Sequence, residues 1–317
     1  MKTYILGRLL SLIPVILIVA VVIFFVIHLT PGDPAAVMLG PEASPDEVEK
    51  LRHGLGLDLP IWKQFIIWFT GVFKGNLGMS IFLKEPVLKL FLDHLGPTLS
   101  LAILAQGISV LLAIPMGIMA ARKRGTGVDQ TFMIVSLLGI SLPGFLLALL
   151  LSLLFAVKLA WLPVAGYRPL SAGLWMHLKY LILPAISLGF IQAALIARMT
   201  RSSMLDVLSM NYMKTAYAKG VREIVLVYKH ALRNAFIPIL TVIGQTFGTL
   251  IAGAVVIESV FNIPGLGQLL VQSISQRDYA VIQGVVLMIA VSYVLINLLV
   301  DLLYGVIDPR VRLSRRS

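Results

Sequence analysis

Hydrophobic residues fall in long blocks along this chain, not in the short alternations of a water-soluble domain. The first block, residues 9–29 (LLSLIPVILIVAVVIFFVIHL), matches the roughly 20 apolar residues that a helix needs to cross a bilayer. Lys2 and Arg8 precede it, as in a secretory leader. The block is longer than the about 7–15 apolar residues of a leader, and no A-x-A-like cleavage site follows, so an uncleaved membrane helix is the preferred reading. Thr30-Pro31-Gly32-Asp33-Pro34 carries the breakers that end it.

Residues 31–96 are mixed and hold no block long enough to span. Ser44-Pro45-Asp46-Glu47 predicts a helix start, with Ser44 as N-cap and Pro45 at the first helical position. Trp62, Phe65, Ile66 and Phe69 recur at helical spacing and predict an amphipathic helix on the membrane surface. Later blocks predict spans at 98–120, 131–157, 180–200, 236–257 and 281–305. Pro97 and Pro184 are read as helix starts, Pro143-Gly144 as a kink. Trp161, Tyr167 and Trp175 mark an interfacial loop, and Phe261 to Gly267 a turn-rich one. The expected fold class is all-α: a polytopic membrane protein with six transmembrane helices.

Composition agrees. The 317 residues are 58% hydrophobic and 13% charged, against about 45–50% and about 25% in soluble chains. There is no cysteine, which excludes disulfides, thiolate zinc sites and thiol nucleophiles. The net charge of +11 would suit a nucleic-acid binder, but its distribution argues otherwise. Six spans put both termini on one side of the membrane. That side carries 16 of the 26 basic residues and 5 of the 15 acidic ones, and the other side is balanced. The positive-inside rule makes the basic side cytoplasmic, with 198–234 inside and 31–96 outside. Topology absorbs the whole charge excess, and no nucleic-acid partner is expected.

Several chemistries are missing from the sequence. It has no G-x-x-x-x-G-K-[ST] phosphate loop, no H-E-x-x-H and no G-x-S-x-G elbow, and its histidines (28, 53, 94, 177, 230) are scattered. No metal site and no catalytic residue is expected. Ionisable side chains are nearly absent from the centres of the blocks, unlike proton- or ion-coupled carriers. A membrane-embedded enzyme lacks its nucleophile here, and a secondary carrier lacks its charges. Energy for uphill transport would have to come from another chain.

One stretch departs from the pattern. Lys214–Leu240 (KTAYAKGVREIVLVYKHALRNAFIPIL) is basic and long for a connector. Ser203 or Ser209 is expected to cap a short helix ending at Gly220, a suitable C′ residue. Ala216 and Ala218 are small enough to let that helix lie close against a partner surface. Lys214, Lys219 and Arg222 are placed to meet acids there. A second helical run, 222–233, leads into the fifth span through Pro238. On residue types alone, a loop that merely satisfies topology is an equal reading.

Lys214-Thr215-Ala216-x-Ala218-Lys219-Gly220, followed by His230-x-Leu232-Arg233-Asn234, resembles the EAA loop of binding-protein-dependent ABC importer permeases. Only Ala216, Gly220 and Leu232 fit the general motif strictly. The T-A-x-A-K-G and H-x-L-R-N-A form is similar to that of the peptide-transporter branch. So are Pro31-Gly32-Asp33-Pro34, Leu55-Gly56-Leu57-Asp58, Gly75-Asn76-Leu77-Gly78-Met79-Ser80, Arg198 to Met204, Pro264-Gly265-Leu266-Gly267, Arg277-Asp278-Tyr279 and Asp308-Pro309-Arg310. Asn76 and Ala280 depart from the branch's Asp and Pro. The chain is thereby identified with the first permease of dipeptide/oligopeptide importers.

The resemblance implies a type I permease fold, with both termini cytoplasmic, in the cytoplasmic membrane of a prokaryote. It divides the chain into residues 1–30, an extracytoplasmic region 31–96, a five-helix core 97–305 with coupling loop 201–235, and a tail 306–317. Implied partners are a second homologous permease, two ATPase subunits holding ATP-Mg, an extracytoplasmic binding protein and a peptide substrate. No cofactor is expected on this chain. The ATPase would grip Lys214, Thr215, Ala216, Ala218, Lys219, Gly220, His230, Leu232, Arg233 and Asn234. The binding protein would meet Pro264, Gly265, Gly267, Arg277, Asp278 and Tyr279. Sister importers of nickel chelates or glutathione share these features.

Individual residues carry two readings each. Gly244-x-x-x-Gly248 with Gly253 offers a small face, read as packing within the bundle before a subunit interface. Gln106, Gln192 and Gln245 are pathway candidates or bonds between helices. Glu258 is a candidate gate or amine binder, with an interfacial acid preferred. Arg198 and Arg201 read as snorkelling anchors.

Overall fold

The structure, a computed structural model, describes the backbone of residues 2–28, 34–40, 43–54 and 56–307. The expected breakers at 30–33 and the tail from 308 lie outside these residues. Every regular element described is helical, beside one isolated bridge between Met79 and Pro86. The chain divides into two compact units, Met1–Gly96 with Pro264–Leu295, and Pro97–Ile263 with Ile296–Ser317.

The first unit holds α1 (Lys2–His28), α2 (Pro34–Leu39), α3 (Pro45–Gly54) and α4 (Ile61–Phe73). Ser44 starts α3 as expected. Its Oγ accepts from the Glu47 N–H at 3.3 Å, and Glu47 Oε2 accepts from the Ser44 N–H at 2.9 Å, a reciprocal capping box. The Ser44 N–H and hydroxyl hold the Glu47 carboxyl below its ordinary range. The aromatic spacing in α4 divides between two faces. Phe65 lies 5.3 Å from Phe24 of α1 and stacks on Phe69 at 5.4 Å, while Trp62, Ile66, Ile67 and Phe73 are exposed.

The core of this unit joins Leu77, Val87, Leu90 and Phe91 to Leu266, Leu269, Val281 and Val285. Apart from Leu77, which lies between α4 and the next helix, these come from α12 (Leu266–Gln276) and from the first two turns of α5 (Val87–Arg122) and α13 (Tyr279–Ile307). Asp278 ties the parts together. Its carboxylate accepts from the Ser80 hydroxyl at 2.6 Å and the Ile81 N–H at 3.2 Å, and it caps α13 through the Val281 N–H.

The second unit is organised on α8 (Leu174–Leu208). Around it pack α6 (Gly127–Ser141), α7 (Gly144–Leu151, continued by π-helical turns to Lys158) and α11 (Leu232–Phe261). Close approach sets the arrangement. A Cβ on Gly189 would lie 2.6 Å from the Ala105 carbonyl oxygen, and one on Gly117 2.6 Å from that of Ala197. The Ser109 hydroxyl reaches the Gly189 carbonyl at 2.7 Å. In the fifth predicted span, Gly244 meets Val300 and Gly253 meets Leu188, so these glycines pack within this chain as expected.

Expectations about individual prolines and one arginine change. Pro97 and Pro184 lie inside α5 and α8, not at their starts. Neighbouring helices and Ser/Thr hydroxyls re-satisfy a carbonyl freed by proline, so the polar flanks continue the helix past the apolar block. The kink at Pro143-Gly144 is a break, with α6 and the Gly144–Lys158 helix inclined at 101°. Among the described residues, four helices are long and apolar enough to span, five if the broken pair counts as one. Arg201 is not a snorkelling anchor. Its guanidinium bonds Asp129 twice, at 2.6 and 2.8 Å, and Asp129 is 5% exposed.

Arg201→Met strands the Asp129 carboxylate and should cost about 3 kcal/mol, since removing one partner of a buried pair leaves an uncompensated charge. The double variant Asp129→Leu/Arg201→Met should recover most of it. Thermal unfolding in detergent reads both, and equal midpoints for wild type and Arg201→Met would remove the pair from any structural role.

Candidate functional site

The stretch after α8 folds as α9 (Asn211–Ala218), a short α10 (Glu223–Val225), π-helical turns over Leu226–Ala231 and then α11. The N-cap of α9 is Met210, not the expected Ser203 or Ser209, which still belong to α8 and its C-cap. Its C-terminus is as expected. Gly220 has φ +78°, its N–H donates to the Tyr217 carbonyl at 2.9 Å, and the Val221 N–H donates to that of Ala216 at 3.3 Å. This is a Schellman end, which requires a left-handed C′ residue and so favours glycine.

The helix is held from below and open above. Met213, 2% exposed, plugs a core of Ile118, Phe132, Ile196, Met204, Val227 and Ile239. Ala216 and Leu232 pack on the same core. Ala216 is half-buried and packs toward its own bundle. Asn234 is likewise engaged inside the chain, donating to the Tyr212 hydroxyl at 2.8 Å and the His230 carbonyl at 3.0 Å. The Thr215 hydroxyl donates back to the Asn211 carbonyl. His230 is half-buried. Lys214, Ala218, Lys219, Gly220 and Arg233 are exposed. So are Tyr217, Ile224 and Tyr228, at 72%, 67% and 51%. The sequence reading missed these three. Ile224 and Tyr228 stand four apart on a helix, a spacing that could have marked them.

The glutamines separate. Gln106 bonds the Thr246 hydroxyl and the Ile243 carbonyl, both at 3.3 Å, and so ties α5 to α11. Gln192 and Gln245 instead line one cavity of about 700 Å³ between α8 and α11, with Arg198, Ser202 and Thr249. Glu258 is fully buried and accepts from the Thr98 hydroxyl at 2.6 Å, which replaces the expected interfacial acid with an internal hydrogen bond. Of the residues expected to meet a binding protein, Gly265, Gly267, Asp278 and Tyr279 are buried and shape the loop, while Pro264 and Arg277 are exposed. Among the described residues no cluster of His, Asp or Glu could hold a metal.

Residues 113–313 match the family described as "Binding-protein-dependent transport system inner membrane component", and residues 1–102 match the corresponding N-terminal family. The chain is 46% identical over 312 residues to the probable peptide ABC transporter permease protein y4tP of Sinorhizobium fredii, covering 98% of this chain and 100% of that one. It is 46% identical to the glutathione transport system permease protein GsiC of Salmonella choleraesuis, covering 98% and 99%. GsiC of Escherichia coli K12 is 44% identical, with the same coverage. Among solved structures, an inward-facing MetNI methionine ABC transporter chain aligns with a TM-score of 0.56 at 17% identity, over 70% of this chain and 97% of that one.

Met213→Ala removes the plug under α9 and should cost about 2–5 kcal/mol, raising hydrogen exchange of the 211–218 amides above wild type. Tyr217→Ala, on the exposed face, should leave exchange unchanged. Equal protection in both variants would mean that Met213 does not hold the helix.

Proposed function

The chain belongs to the family of binding-protein-dependent transport system inner membrane components, in its peptide and glutathione branch, and from that premise we propose that it forms half of the membrane pathway of an ATP-driven importer of short peptides. It is a non-catalytic, multi-pass inner-membrane subunit of a bacterial importer. In the proposed topology six helices cross the membrane, α1 among them. Both termini and the 201–235 loop are cytoplasmic, 31–96 is extracytoplasmic, and 97–305 is the core.

The observation that carries the reading is the construction of α9. It is rooted by Met213 and ended by Gly220, yet presents Lys214, Tyr217, Ala218 and Lys219 outward beside Ile224 and Tyr228. Exposed aromatic and aliphatic side chains ringed by lysines suit a protein surface with acidic groups at its rim. Each of two ATPase subunits would take one such segment, from this chain and from a second permease. Closure of the ATPases around ATP-Mg would then move the rooted helix as a rigid handle. A binding protein would deliver the substrate outside, and Pro264 and Arg277 are the exposed loop residues available to it. Glutathione is the second reading, supported by the GsiC relatives.

Gly220→Val forces a β-branched residue into a left-handed conformation at about 1–3 kcal/mol. In the reconstituted complex it should reduce peptide-stimulated ATP hydrolysis to the unstimulated rate while the permease still purifies folded. Normal stimulation would count heavily against docking through α9. Uptake of labelled trialanine and of labelled glutathione by the same proteoliposomes separates the two substrates.

A further inference from the structure

The first unit holds a cavity of about 730 Å³ whose lining comes wholly from that unit. Phe24, Leu57, Ile67, Trp68, Leu77 and Met79 supply most of its wall, and among the described residues no lysine, arginine or carboxylate lines it. Several of its polar groups are already engaged. The Gln64 amide donates to the Leu57 and Leu59 carbonyls at 3.1 and 2.8 Å, and Asn76 Oδ1 accepts from the Gly78 N–H at 3.0 Å. The Ser80 hydroxyl is held by Asp278, and His53 Nδ1 lies 2.8 Å from the Asp58 carboxylate. Tyr279 and Gln283 differ. They stand four residues apart on one face of α13, both line the cavity, and they are 8% and 9% exposed. Neither the Tyr279 hydroxyl nor the Gln283 amide makes a hydrogen bond to a described residue, and the polar atoms of both keep accessible surface. Most side-chain polar groups buried this far are hydrogen-bonded, so two on one wall call for a partner.

The chemistry of the wall specifies that partner. A carboxamide carries N–H donors and a carbonyl acceptor side by side. A peptide group answers both, giving its N–H to Gln283 Oε1 and accepting from Nε2–H on its own carbonyl. An ester or ether offers acceptors alone and would leave Oε1 bare. The Tyr279 hydroxyl can donate to or accept from a neighbouring peptide group. The aromatic, aliphatic and thioether wall suits a large apolar side chain. No side chain of the wall is a free charge, so the charged ends of a peptide find no partner here, and its interior is what the cavity can read. The volume lies within the about 300–1,000 Å³ of small-molecule sites. We infer that this cavity binds a short peptide through an internal peptide group paired with Gln283, the adjoining large apolar side chain seated against Phe24, Trp68 and Met79. The inference rests on the reading of the chain as a peptide importer subunit, and it places a side-chain preference in the permease itself.

The test uses the assembled importer in nanodiscs, with Met79→Cys as the sole thiol of this chain, which has no natural cysteine. Met79 is 56% exposed at the cavity, so the rate at which a maleimide modifies that thiol reports occupancy. N-acetylphenylalanine amide, neutral and with a peptide group on each side of its ring-bearing carbon, should slow modification saturably. N-acetylalanine amide and methyl 3-phenylpropanoate, which lack the large side chain and the N–H respectively, should do so much less. Gln283→Leu should weaken protection by N-acetylphenylalanine amide about fivefold, the loss expected of a neutral hydrogen bond, and leave that by the ester unchanged. If Gln283→Leu does not assemble, Tyr279→Phe, which removes one oxygen, should show a loss of the same kind. Equal protection by the amide and the ester, or full protection in the variant that assembles, would overturn the inference. So would protection without peptide that vanishes in delipidating detergent, which puts an acyl chain in the cavity, or protection by the peptide-free binding protein alone. ATP-driven uptake of Ala-Phe-Ala by the wild-type complex keeps the two readings apart. Uptake without protection refutes the site, and protection without uptake refutes peptide import.

Discussion

The absence of water inside a bilayer constrains this molecule more than any single contact. Each backbone N–H and C=O there must find its partner within the protein, which restricts the spanning segments to helices. The helices must then approach one another without help from water, since lipid is as apolar as leucine. The second unit meets that condition with small residues and hydroxyls. Gly117 and Gly189 bring α5 against α8 to backbone distance, and Ser109 bonds the Gly189 carbonyl across the contact. Thr200 and Ser187 turn their hydroxyls back to their own helix at 2.8 Å, so burying them leaves no donor unmet.

Where polar groups are satisfied, they fasten one element to another. Asp129 and Arg201 fix the start of α6 to the end of α8. Asp278 gathers the Ser80 turn and the start of α13. Arg122 donates to Glu223 at 3.0 Å and brings the end of α5 to the start of α10. The Asp129–Arg201 and Arg122–Glu223 ties hold the helices before and after α9, whose outer face is exposed. A rooted helix with an open face can transmit force in a way that a loose loop cannot, and the Schellman end at Gly220 gives it a defined terminus.

The sequence by itself determined the all-helical membrane class, the position of each apolar block, the glycine end of α9 and the N-cap at Ser44. These follow from local chemistry: hydrophobic length, φ preference and side chains that reach their own backbone. Family motifs spread along the whole chain carried the identification. Tertiary structure alone decided the rest, because it depends on what each side chain meets. Proline could not show whether it began a helix or lay within one, since the answer rests on neighbouring groups that take up the freed carbonyl. Arg201 and Arg198 stand three apart and read alike in the sequence, yet Asp129, distant in the chain, occupies one and leaves the other to the cavity. Gln106 and Gln192 were likewise equivalent until Thr246, buried, engaged the first and Thr249, beside a cavity, the second. Partnership across the fold, not residue type, decided which polar groups fasten one element to another.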